Sequence, residues 1–197
     1  MFTAKDVMAL RQRTGAGMME AKKALEESSG DMDKASEALR VKGIAKADKR
    51  SGKQTSEGII SSYIHHNGKV GVMVEVNCET DFVARTEDFR KLVKEIALHI
   101  ASAAPVAVDK DGVPAELVEA ERRIAAEQAK ESGKPEAIVQ RMVDGKVDKF
   151  YKQNCLLFQG WIREPDKSIG DLIREASARV GENIQVRRFV RYQMGEE

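Results

Sequence analysis

At 197 residues the chain is long enough for one ordinary domain and a small additional module. Hydrophobic residues make up 42% and aromatics 5%, which suits a soluble, helix-rich protein with a core of Val, Ile, Leu, Ala and Met. Lys and Arg total 33 against 32 for Asp and Glu, and the resulting formal charge of +1 argues against a chain-wide grip on nucleic acid or anionic lipid.

Residues 3 to 43 read as three short helices with clear punctuation. Thr3 and Asp6 form a capping-box pattern, and Val7 and Leu10 give the first helix its apolar face. "TGAG" (14–17) breaks that helix, and the second carries Met18, Ala21 and Leu25 at helical spacing. Met18 and Met19 are adjacent, so only one can join the core stripe; the other is left as an adaptable contact for a partner. "SSGD" (28–31) stops the second helix, and Asp31 caps a third bearing Met32, Ala35 and Leu39, which is expected to end at Gly43. A bundle this small, residues 1–44, has a marginal core and is expected to act as a docking module beside a larger domain. Residues 45–57 show no apolar period and read as a flexible basic linker, free to let the module move.

The second domain, residues 58–197, opens with a hairpin. "IISSYIHH" and "KVGVMVEVNC" flank Asn67-Gly68, a strong two-residue turn signal. Val70, Val72, Val74, Val76 and Cys78 fall on one strand face, with His65, Tyr63, Ser61 and Ile59 opposite. Thr86 is an N-cap for a helix striped by Phe89, Leu92, Val93, Ile96 and Ile100. Residues of about 114–151 form an expected antiparallel helical hairpin joined at "SGKP" (132–135), its apolar stripe of Ile138, Val139, Met142, Val143, Val147, Phe150 and Tyr151 confined to the second arm. Such a hairpin is expected to project from the body. "CLLFQGWI" (155–162) is a short apolar strand or loop. Ser168 and Asp171 then cap a helix closed by Gly181, and Ile184, Val186, Val190 and Tyr192 alternate as in a final strand. The fold class is therefore α+β: a helical module, a linker, then a small antiparallel sheet with helices packed on it.

Chemistry-bearing motifs are scarce. The sequence contains no phosphate loop, dinucleotide glycine fingerprint, zinc-protease helix or nucleophile elbow. His65 and His66, read as strand neighbours, point to opposite faces and cannot chelate one metal. Cys78 and Cys155 have no metal spacing, and a reduced pair suits a cytoplasmic chain. Cys78 ends the valine row and reads as a small buried hydrophobe. Arg187, Arg188 and Arg191 lack an aromatic platform for nucleic acid and read as a solvated or ion-paired strand. No apolar run has membrane-spanning length, and no signal-peptide core is present at the start. No cofactor, metal or bond chemistry is expected. "CETDFVART" (78–86) resists this bland reading: it places an acid and a bare ring side by side after the valine strand. Phe82 either folds onto the core in a connector or stands out toward a partner.

Four stretches carry a resemblance. "LRQRTGAGMMEAKKAL" (10–25), "VEVNCETDFVAR" (74–85), the helical hairpin with "SGKP", and "VGENIQVRRF" (180–189) occur in the order found in translation elongation factor Ts. The paired motifs "TGAGMM" and "NCxTDFVA" make the likeness specific. The resemblance implies a ubiquitin-associated-like three-helix module and a dimerisation core. It also implies a nucleotide exchange role toward the GTPase elongation factor Tu, whose magnesium site is disturbed so that GDP leaves. Thr80, Asp81, Phe82 and Val83 would form the intruding loop, and Arg11, Met18, Met19 and Gly181 would dock the partner. His65 matches a partner-contacting histidine motif of longer members, with one residue inserted. Those members carry two core halves where this chain has one, which implies a noncovalent homodimer. A helix-binding scaffold without exchange activity is the alternative; a Cys78–His65 enzyme lacks any visible third group.

Overall fold

The computed structural model describes residues 2–131 and 135–196 and is of the α+β class. The chain divides into two compact units, one formed by Met1–Ile60, Glu75–Val93 and Leu172–Val186, the other by Ser61–Val74, Lys94–Asp171 and Arg187–Glu197. Among the described residues, no helix is long and apolar enough to cross a membrane.

In the first unit, α1 (Ala4–Thr14) starts at the Thr3–Asp6 capping box and stops at Gly15, whose φ of +71° is left-handed. Helices α2 (Met18–Glu27) and α3 (Met32–Arg50) follow, the latter capped by Asp31, whose carboxylate accepts from the amides of Asp33 and Lys34. Val7, Leu10, Ala21, Ala24, Leu25, Ala35 and Leu39 form the bundle core, with Phe2, Ala16 and Met32 packed against it. Met18 is not part of it. Both Met18 and Met19 are exposed, because Ala16, ahead of the helix, already packs on the core and the first turn of α2 begins outside.

The third helix does not end at Gly43. It continues to Arg50, so residues 45–50 of the expected linker are helical. Alanines and lysines favour the helix intrinsically, Lys46 pairs with Glu20, and Ala47 is buried. Gly43 serves packing instead: a Cβ there would lie 3.1 Å from that of Ala178. The remaining segment is tied down, since Asn183 Nδ2 donates to the carbonyls of Ser51 (3.1 Å) and Lys53 (2.8 Å), and Gln185 Nε2 also donates to Ser51 O.

Strands β1 (Glu57–Ile64), β2 (Val70–Cys78) and β5 (Gln185–Gln193) form a three-stranded sheet in the order β1-β2-β5. The valine row of β2 is buried from Val72 to Cys78. The amide of His65 donates to Val70 O at 2.9 Å, the register a two-residue loop would set, although the turn is longer, with Gly68 N donating to His65 O. Because β1 ends at Ile64, His65 and His66 lie in the turn, and their rings are 4.2 Å apart rather than on opposite faces. Alternation in β5 breaks at Arg187 and Arg188, which are both exposed. Val186 therefore faces the core while Val190 and Tyr192 face solvent, not the single face their spacing suggests.

Between the strands, α4 (Asp81–Ala84) is one turn, and α5 (Glu87–Ala103) buries Phe89, Leu92, Val93, Ile96 and Ile100. In the second unit, α6 (Ala115–Lys130) and α7 (Glu136–Asn154) pack through Ala125, Ala129 and Val143, flanked by Val139 and Met142. Alanines supply the face on α6 that the sequence pattern leaves blank. Ile138 is exposed, outside the stripe, and Ser132–Lys134 of the expected joint lie outside the described residues. Residues 155–162 resolve into a 3-10 turn (Leu156–Phe158) and β3 (Gly160–Trp161), which pairs with β4 (Glu164–Ser168). The box at Ser168 and Asp171 then starts α8 (Ile169–Val180).

Candidate functional site

The chain leaves β2 at Cys78, fully buried, and within four residues reaches Phe82, which is 79% exposed. Burial is the ordinary fate of a phenylalanine, so a ring held this far out needs a cause in the backbone. That cause is α4. Ala84 N donates to Thr80 O and Arg85 N to Asp81 O, giving one closed turn, and Asp81 pairs with Arg85 at 2.7 Å. Thr86 then restarts the helix, its hydroxyl oxygen accepting from Phe89 N at 3.3 Å. The turn has Ala84 as its buried member, and Phe82 stands on the opposite side. Phe82 thus does not fold onto the core.

The base of this turn is held by two acids. The Glu182 carboxylate accepts from Glu79 N (3.1 Å), Thr80 N (3.0 Å) and the Thr80 hydroxyl (2.6 Å). The Glu79 carboxylate accepts from Asn183 N at 2.6 Å and takes a two-pronged bond from Arg50 at 3.1 and 2.8 Å. The Arg50 guanidinium, then the Asn183 amide, hold the Glu79 carboxyl below its ordinary range. Gly181, with φ of +74°, ends α8 and turns the chain into Glu182; its surroundings are open. Glu182, Glu79 and Arg50 were not singled out by sequence, beyond the presence of Glu182 inside "VGENIQVRRF" and of Glu79 inside "VEVNCETDFVAR".

Cys78 is no nucleophile. Burial first, and then the nearby Glu182 charge, push its thiol up to about 11, and its Sγ lies 3.2 Å from Thr80 O. His65 is half-buried in the second unit, its Nδ1 3.0 Å from the Tyr63 hydroxyl, which accounts for that ring without any catalytic partner.

In the bundle, Arg11 lines a hollow of about 410 Å³ together with Met8, Gln12 and Gly15. Met8 is a residue that sequence reasoning missed: it is exposed, and it stands one turn ahead of Arg11, a spacing that could have flagged it. Exposed Met8, Met18 and Met19 are flexible, polarisable side chains of the kind that adapt to a partner surface. Among the described residues, no group of three or more His, Cys, Asp or Glu is placed to hold a metal. The candidate site is a projecting ring with a braced base, plus the hollow lined by Met8 and Arg11 and the exposed Met18 and Met19 on the bundle. Neither contains a nucleophile–base pair.

A family model described as Elongation factor TS matches residues 3–196. Curated proteins named Elongation factor Ts align over nearly all of the chain. The one from Thermosipho melanesiensis is 53% identical over 196 residues, 100% of both chains. That from Fervidobacterium nodosum is 53% identical over 195 residues, 99% of each, and that from Acetivibrio thermocellus is 54% identical over 196 residues, 100% of this chain and 91% of the relative.

Proposed function

The chain belongs to the elongation factor Ts family and so has a translation elongation factor role; on that premise we propose that it is the cytoplasmic nucleotide exchange factor of the GTPase elongation factor Tu. The supporting observation is Phe82, fully presented on a braced turn at the end of a buried strand. In this reading the ring enters between packed elements of the GTPase near its bound magnesium. Magnesium tolerates little distortion of its octahedral oxygen ligands, so a small displacement there weakens GDP sharply. Asp81 adds negative charge and competes for hydrogen bonds at the same place. By linkage, GDP must weaken binding of the factor by the factor by which the factor weakens GDP. No bond is made or broken by this chain.

Arg11, Met18, Met19 and the added Met8 serve docking in this reading, and the wedge serves release. A homodimer follows from the sheet. Ile64, Met73, Val190 and Tyr192 are exposed in the second unit, each alternating with buried or half-buried neighbours. A second copy of the same face would cover them. The experiment is release of fluorescent GDP from Tu on mixing with this protein. Acceleration supports exchange; binding without acceleration would leave only a scaffold.

A further inference from the structure

Thr80 stands at the N-cap of α4, yet its side chain makes no capping bond to that helix. A threonine there ordinarily accepts from an amide of the first turn. Here the hydroxyl instead donates to Glu182 Oε1 at 2.6 Å, while Glu182 Oε2 takes the amides of Glu79 and Thr80. Three donors converge on one carboxylate from a residue 102 positions along the chain. The turn is therefore tied at its base to the "GEN" segment after α8, in addition to the bonds α4 makes within itself. The return bond from Asn183 N to Glu79, and the two-pronged Arg50 contact from the last turn of α3, close the arrangement.

Resting on the exchange reading above, we propose that Glu182 is the positioning residue of Phe82, with Glu79 and Arg50 as its second strut. The ring can exert force on a partner only if its base does not yield. A one-turn helix has too few internal bonds to resist alone. A carboxylate taking three donors supplies the missing stiffness, because charge-assisted bonds are short and directional. Arg50 also ties the brace to the helix that closes the docking bundle.

The test compares Glu182→Gln, Glu182→Ala, Phe82→Ala and the double variant Glu182→Gln/Phe82→Ala in the full chain. GDP release from Tu is followed against factor concentration, amide exchange at residues 79–84 is followed without partner, and each melting temperature is recorded. Gln keeps the size of Glu182 but cannot accept from all three donors, so it stays informative should Glu182→Ala unfold. Glu182→Gln should lower the saturating release rate by about tenfold, as expected for losing hydrogen bonds to a charged group. Its half-saturating concentration should stay within about twofold, and exchange at Glu79 and Thr80 should quicken. In the Phe82→Ala background the same change should have no further effect on rate, because its action passes through the ring. Multiplied losses in the double variant, or an unchanged saturating rate in folded Glu182→Gln, would overturn the brace alone. An unchanged rate in Phe82→Ala would instead remove the wedge and the brace with it while leaving exchange in place, and no acceleration by the unsubstituted protein would remove the exchange reading itself.

Discussion

Phe82 and Phe89 are seven residues apart and sit in opposite environments, one 79% exposed and the other 1%. Phe89→Ala should cost roughly 3–5 kcal/mol, the usual penalty for emptying a core aromatic site, whereas Phe82→Ala should leave the melting temperature almost unchanged. Thermal melts of the two variants side by side check this. His99 permits a pH prediction. It is fully buried; Gln159 Nε2 donates to Ala103 O and Gln153 O, which turns its Oε1 toward His99 Nε2 at 3.0 Å. That fixes the proton on Nε2 and leaves Nδ1 a buried atom without a hydrogen-bond partner. Burial pulls the His99 pKa down from 6.5 despite the Gln159 bond. The unfolded chain therefore takes up a proton first, so stability is intact above about pH 6.5 and falls as pH drops through and below that value. Melting temperature measured between about pH 7.5 and pH 5 should decline, and His99→Met should flatten the decline; this window lies above the ordinary carboxylate range.

Among the elements, α3 and the segment after it carry the clearest consequence. Amides of residues 44–50 should exchange slowly as part of a helix. Asn183→Ala, which takes the side-chain donor from Lys53 O and leaves Ser51 O with Gln185 alone, should quicken tryptic cleavage after Lys53 several-fold as local opening becomes easier. Uniformly fast exchange from residue 44 onward would show that the flexible linker expected from composition exists in solution. Sequence made some elements legible for local reasons. The caps at Thr3, Asp31, Thr86 and Ser168 are written within three residues, and the valine row and the Phe89–Ile100 stripe declare their periods. The extension of α3 was hidden because it is held by ion pairs and alanines, which carry no hydrophobic period, and because Gly43 looks like a stop while serving close packing on Ala178. β4, "EPDKS", is polar and contains proline, so nothing local marks it as a strand. The brace under Phe82 joins positions about a hundred residues apart, beyond any window reading. "TDFVAR" marks the candidate site in the sequence; it does not show what holds that turn in place.

For the whole molecule, the exposed row Ile64, Met73, Val190 and Tyr192 sets the expected assembly. Sedimentation at micromolar protein should give a dimer, and Tyr192→Lys should shift it toward monomer by burying a charge in an apolar contact. A wild-type monomer under those conditions would remove the sheet-mediated dimer. Exchange itself is tested most directly by stopped-flow release of fluorescent GDP from Tu at saturating factor, wild type beside Phe82→Ala. The wedge reading predicts rapid release with the wild type, and a rate lowered by about tenfold or more with a variant that melts normally, as for loss of an anchoring aromatic at an interface. An equal rate for the two proteins, or no acceleration by the wild type, would contradict it.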